Sequence, residues 1–132
     1  MDWKLEVVVV PVSDIDRAKR FYGEQCGFNV DVDRTSPVSP DARIVQLTPP
    51  GSACSITLGP RVAEPGSLKG IQLCVSDVEA ARAELVGRGV EVSPVRHLED
   101  GVWKDGKGEP WNSFIFFADP DGNAWTVQEK PG

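Results

Sequence analysis

Histidine is almost missing: His97 is the only one in 132 residues. A multi-histidine metal centre is therefore excluded. No nucleophilic triad is evident either, because nothing in the sequence pairs a Cys or Ser with a base. Cysteine is also scarce. Cys26, Cys54 and Cys74 are odd in number and lack metal-ligand spacing, which fits packing residues in a reducing cytoplasm. Long apolar runs are absent, Val7 to Val10 being too short to span a bilayer, and Met1-Asp2-Trp3-Lys4 leads straight into a strand. Neither a membrane span nor a signal peptide is expected. Basic residues are outnumbered, 14 against 20 acidic, for a net charge of −6 and a pI near 4.7. With no basic stripe interleaved with aromatics, nucleic acid is not an expected partner, whereas a cationic small molecule is not repelled.

What the chain does have is repetition. Phe116 to Gln128 reads FFADPDGNAWTVQ, two apolar residues running into Asp119-Pro120-Asp121-Gly122-Asn123 and then an alternating stretch. Pro presets φ, Gly supplies a positive φ, and the Asx side chains cap the turn, so the stretch is a hairpin. VQLTPPGSACSIT matches it 71 positions earlier, with Thr48 to Ser52 opposite Asp119 to Asn123. Val12-Ser13-Asp14-Ile15-Asp16 likewise recurs 63 positions later as Val75-Ser76-Asp77-Val78-Glu79. The chain is a tandem duplication of one module.

Each copy reads as a strand, a helix and three strands. In the first, β-branched Leu5 to Val12 predicts a strand buried on both faces. Ser13, with Asp16 in capping-box position, starts a helix that runs to about Cys26, with Ile15, Ala18, Phe21 and Tyr22 on its apolar stripe and Gly27 as its stop. Strands at Phe28–Asp33, Arg43–Leu47 and Ala53–Leu58 follow, around a polar loop at Thr35–Asp41. In the second copy, strand Lys69–Val75 precedes a helix capped by Ser76, its stripe being Val78, Ala81, Leu85 and Val86. Strands at Val90–Val95, Ser113–Phe117 and Ala124–Glu129 complete it. Between them Arg96–Asn112 is polar and Gly-rich yet carries Trp103 and Trp111, which predicts a lid or a disordered loop. The result is a single domain: module 1 over residues 3–59, a linker at 60–67, and module 2 over residues 68–130.

This order, with VSDIDRAKRFY after the first strand and FFADPDGNAWTVQE at the end, resembles the vicinal oxygen chelate superfamily of glyoxalases, bleomycin-resistance proteins and extradiol dioxygenases. The resemblance covers Leu5 to Glu129. It implies an α+β fold of two tandem βαβββ modules, whose half-open, curled mixed sheet surrounds a cup-shaped cavity. It also implies a divalent metal, held by His, Gln or Glu on the first and last strands of each module, and a homodimer. The internal match carries those ligand positions onto Val7, Ser55, Gly70 and Thr126. None is a strong donor, because divalent ions need imidazole, carboxylate or several carbonyl oxygens. No metal or other cofactor is expected.

Alternation places Val7, Val9, Ser55, Thr57, Gln72, Thr126 and Gln128 as cup lining, with Gln72 matching Val9 and Gln128 matching Thr57. Trp103 and Trp111 are candidates to stack on a planar or cationic ligand, or to anchor the loop or a dimer contact. Two weak catalytic candidates remain. His97 is a base if its loop closes over the cup, and otherwise a solvated loop histidine. Glu6 faces away from the cup; a one-residue slip would turn it inward with a burial-raised pKa. The favoured expectation is a cytoplasmic, metal-free protein that binds an aromatic or cationic small molecule. The alternative is a lyase, isomerase or dioxygenase of the same fold using Glu6 or His97.

Overall fold

The computed structural model describes residues 1–35, 43–59 and 63–131, which divide into two compact units. Unit 1 comprises Met1–Leu68 with Asp119–Asn123; unit 2 comprises Lys69–Ala118 with Ala124–Gly132. The expected loop beyond Thr35 and residues 60–62 of the expected linker lie outside the described residues. No helix among the described residues is long and apolar enough to cross a membrane.

Unit 1 holds strand β1 (Val7–Pro11), helix α1 (Ile15–Arg20), and strands β2 (Asn29–Thr35), β3 (Arg43–Thr48) and β4 (Ser55–Gly59). Its four-stranded sheet has the order β1-β4-β3-β2, with β1 and β4 parallel and the remaining pairs antiparallel. One face carries Val10, Val45, Leu47, Ile56 and Leu58, all buried with Ala18, Phe21, Tyr22 and Phe28. β1 corrects an expectation: it ends the strand order, and Val7 and Val9 are 42% and 39% exposed. A run of valines in an end strand has one buried and one open face.

The helix caps differ by one residue from the sequence reading. Asp14 accepts from the Arg17 backbone N–H at 3.0 Å, and Asp77 does the same from Ala80 at 3.0 Å. Ser13 instead spends its N–H and hydroxyl on Asp121, at 3.1 and 2.5 Å. After Arg20 the first helix widens into a π-turn over Phe21–Gln25, closed by Cys26 N–H donating to the Phe21 carbonyl at 2.9 Å, and Gly27 ends it at φ 76°.

Unit 2 holds β5 (Lys69–Val75), helix α2 (Val78–Gly87), β6 (Arg96–Glu99), β7 (Val102–Asp105), β8 (Phe114–Ala118) and β9 (Ala124–Glu129). Its sheet order is β5-β9-β8-β6-β7. Val78, Leu85, Val90, Ile115, Phe117, Trp125 and Val127 form its core, whereas Val86, expected on the apolar stripe of α2, is 48% exposed. Two expectations fail here together. Val90–Val95 is not a strand, because Pro94 lacks a donor, and the segment bonds β8 through Ser93, which exchanges bonds with Phe116 at 3.0 and 2.9 Å. The presumed lid begins instead with a hairpin. Asp100 and Gly101, at φ 53° and 77°, supply the two left-handed residues of the tight turn that joins β6 to β7.

Candidate functional site

Strand pairing sets which side chains share the open face of the unit 2 sheet, the face away from α2. Gln72 pairs with Thr126, and Thr126 with Phe116, which makes one cross-strand row. Cys74 pairs with Gln128, Gln128 with Phe114, and Phe114 with Arg96, which makes a second. Trp103, opposite Leu98 on β7, adjoins both rows. Its ring meets Phe114 at 5.4 Å and Phe116 at 5.2 Å, edge-on in each case, while the two phenyl rings lie nearly parallel at 6.3 Å. Edge-to-face contacts of this kind are favourable beyond the area they bury. The cluster is nonetheless open: Trp103 is 46% exposed, and Phe114 and Phe116 are half-buried.

A polar chain runs beside the rings. Gln72 Nε2 donates to Gln128 Oε1 at 2.6 Å, and Gln128 Nε2 donates to the Trp111 carbonyl at 2.7 Å. Trp111 sits at φ 70°, a left-handed conformation that is costly for a bulky residue, and its indole is 54% exposed. Asn112 anchors the segment by bonding both the N–H and the carbonyl of Leu98, each at 2.8 Å. Gln72, Trp103, Thr126 and Gln128 thus share one face, and Trp111 is tied to it through Gln128. Phe114 and Phe116 belong to the same face and were missed. Hairpin pairing to Gln128 and Thr126 was the signal that could have found them.

His97 lies elsewhere. It alternates with Arg96 and Leu98 on β6 and so takes the opposite face of the hairpin from Trp103. It is no solvated loop residue: its side chain is 16% exposed, with Nδ1 2.8 Å from the Gly106 carbonyl and Nε2 3.1 Å from Glu99. The Gly106 carbonyl first, and then Glu99, raise its pKa above the ordinary imidazole value. Glu129, also on the α2 side, caps α2 through the Val78 N–H at 2.9 Å and pairs with Lys107 at 2.9 Å; both contacts lower its pKa.

The open face of the unit 1 sheet carries Val7 opposite Ser55, and Val9 opposite Thr57, which in turn faces Gln46. Ser55 is buried and its hydroxyl lies 2.7 Å from that of Thr48, which bonds the Asp31 carboxylate. Glu6 precedes β1 and is exposed, with its backbone carbonyl accepting from Ser55 N–H at 2.8 Å.

Pairing also corrects the internal match. If Val9 corresponds to Gln72, then Thr57, paired with Val9, corresponds to Thr126, paired with Gln72. Buried Leu47, Ile56 and Leu58 then align with buried Phe117, Trp125 and Val127. Matching the turns by Pro and Gly had slid the last strand by two residues, so Thr57 rather than Ser55 is the counterpart of Thr126, and Gly59 rather than Thr57 that of Gln128. The donor chemistry is unchanged by this: Val7, Thr57, Gly70 and Thr126 offer two hydroxyls and no imidazole or carboxylate. Gly70 moreover sits at φ 81° in a bulge of β5, a conformation that a ligating side chain would strain. This residue set does not fit a divalent ion. No cluster of three or more His, Cys, Asp or Glu capable of holding one occurs among the described residues.

Two open mixed sheets, each with one helix-covered face, define the class, and comparison with known proteins names it. A model of the glyoxalase/bleomycin resistance protein/dioxygenase superfamily matches residues 4–127, and the chain belongs to that superfamily. Among solved structures it is similar to TnmS3, an antibiotic binding protein from Streptomyces sp. CB03234, at 33% identity over 98% of this chain and 97% of that one, with a TM-score of 0.78. A glyoxalase/bleomycin resistance protein from the same organism is 34% identical over 95% and 99% of the two chains, with a TM-score of 0.74. YetH of Bacillus subtilis (strain 168) is 26% identical over 133 residues, 96% of this chain and 98% of its own.

Proposed function

We propose that the protein binds a small aromatic molecule on the open face of its second sheet and requires no metal to do so. One observation carries this reading: Trp103, Phe114 and Phe116 form a half-exposed aromatic floor, and Gln72, Thr126 and Gln128 stand beside it. A face built only for stability would bury such rings. A ligand face leaves them open, with a few polar groups to orient what stacks there. The likeness to an antibiotic binding protein supports a small-molecule ligand. The net charge of −6 favours a neutral or cationic molecule over an anion. His97, on the opposite side of the hairpin, has no part in the reading, nor does exposed Glu6.

The same proposal takes the protein as a cytoplasmic homodimer. Exposed Trp3, Leu5, Val7 and Val9 along the β1 segment support pairing, and the free thiols of Cys54 and Cys74 support a reducing compartment.

Isothermal titration calorimetry against proflavine, ethidium and the glycopeptide bleomycin tests the ligand class. At least one should bind at micromolar concentration, and Trp103→Ala should weaken it roughly tenfold, as expected for losing an aromatic contact. Silence across the whole panel up to millimolar concentration removes the proposal.

A further inference from the structure

The amide chain on this face has a direction, and it ends in an unused atom. A backbone carbonyl can only accept, so Gln128 must turn its NH2 group toward Trp111. That presents Gln128 Oε1 to Gln72, which must answer with its own NH2 group; the Cys74 thiol lies 4.0 Å from the same oxygen. Reversing either amide would set oxygen against oxygen. Gln72 Oε1 is therefore left at the end of the chain, on an exposed residue, with no hydrogen bond recorded to it among the described residues.

We infer that Gln72 Oε1 is the specificity-determining contact of this site, and that the ligand is a planar aromatic carrying a hydroxyl or amino donor at its rim. The inference rests on the ligand face proposed above. Gln72, Thr126 and Phe116 stand side by side on three adjacent strands. Two strand spacings separate Gln72 from Phe116, about 10 Å. A fused bicyclic or tricyclic frame lying over Phe114 and Phe116 reaches that far, and its edge substituent then meets an acceptor whose orientation is already set. A donor finds its partner there without reorganising the chain. A ligand whose rim holds only acceptors, or a carboxylate, meets oxygen with oxygen. Thr126, midway along the row, is free to rotate its hydroxyl and adds no such discrimination.

Two dyes of one skeleton separate the contributions. Proflavine is a tricyclic cation with two aromatic NH2 groups; acridine orange is the same cation with both amines dimethylated, which removes their N–H donors and adds four methyl groups. Because the methyls also alter affinity, calorimetry on the full chain compares each dye between wild type and variant. Gln72→Leu should weaken proflavine roughly fivefold to tenfold, the worth of one hydrogen bond, and leave acridine orange within about twofold. Gln72→Met, closest in volume, replaces it if circular dichroism shows the leucine variant unfolded. Equal loss for both dyes, or no loss for either, overturns the acceptor and leaves the aromatic site standing. If neither dye binds the wild type, or Trp103→Ala changes neither, the ligand face itself is wrong and this inference falls with it.

Discussion

The two copies of the module carry matching turns that do opposite things. Apart from the Thr48 hydroxyl, which meets Asp31 and Ser55, the first turn is local: Ser52 N–H bonds the Pro49 carbonyl at 3.0 Å, the Ser52 hydroxyl bonds its neighbour Cys54, and Pro50 to Ser52 are exposed. Asp119 to Asn123 is a polar knot within unit 1, with Asp119 and Asn123 buried. The Asp119 carboxylate accepts from the backbone N–H groups of Asp121 and Asn123, each at 2.9 Å, from the Tyr22 hydroxyl at 2.6 Å and from Asn123 Nδ2 at 2.8 Å. Asn123 also donates to the Pro11 carbonyl at 2.8 Å and accepts from Leu68 N–H at 3.1 Å. Asp121 receives Ser13 and, at 3.3 Å, Arg17. Duplication supplied two equivalent loops. One closes a hairpin, and the other also holds the end of β1, the start of α1 and the π-turn. A motif that looks like a common reversal is thus a polar anchor of unit 1.

The sharpest way to break this contrast is through glycine. Gly66 donates to the Pro11 carbonyl at 3.2 Å and sits at φ 81°, where an added Cβ would lie 2.0 Å from the Asp121 carbonyl oxygen. Backbone cannot yield that distance. Gly51, in the other turn, has nearly the same φ, 82°, but open space around it. Gly66→Ala should cost upwards of about 4 kcal/mol or prevent folding, whereas Gly51→Ala should cost only the ~1–2 kcal/mol of a left-handed alanine. Urea midpoints compare the two. Equal midpoints would show that the knot is not packed as described.

The carboxylate gives the next largest effect. Asp119→Ala strands four donors, two on the backbone and two on buried Tyr22 and Asn123 side chains. It should destabilise by about 3–5 kcal/mol, since each unmade buried bond costs ~1–3 kcal/mol and entering water recovers part of that. Thr48→Ala in the first copy removes only a hydroxyl between Asp31 and Ser55 and should cost about 1 kcal/mol. If the two variants unfold at the same urea concentration, the asymmetry between the turns is not energetic.

Comparing the copies also shows what could be read from residues alone. The β5 and β9 boundaries were legible because alternation and turn residues agree there; the repeated module was legible in the duplication, and the fold class came from the family resemblance. The register between copies was not. Pro and Gly fix where a turn lies but not its length, and the loop from Pro49 to Cys54 is one residue longer than that from Asp119 to Asn123. The aromatic floor escaped for a related reason: Phe114 and Phe116 count as core by composition, and only pairing with Gln128 and Thr126 turns them to the open face. Asp100-Gly101, a strong hairpin signal between alternating residues, was outweighed by the polar, glycine-rich stretch around it. The direction of the glutamine chain depends on the Trp111 carbonyl, a backbone atom that no side-chain pattern reports.

That hairpin, which has no counterpart among the described residues of the first copy, provides the smallest of the effects and a way to watch it alone. His97 bridges the Gly106 carbonyl and Glu99, and both favour the imidazolium, so its folded pKa stands above the ordinary value of about 6.5. The sign follows from linkage. The protonated ring's contribution to stability is complete below the unfolded pKa and is lost as pH rises through the raised folded one. A proton NMR titration should therefore place His97 above an unstructured histidine peptide, and Glu99→Gln should bring it part of the way down, leaving the Gly106 share. Hydrogen exchange corrected for intrinsic rate should show amides of Arg96–Asp105 losing protection through the same pH range, while β3 and β4 of the first copy do not. A His97 value at or below that of the peptide would mean that Glu99 and Gly106 do not hold the ring, and that the hairpin's protection has another source.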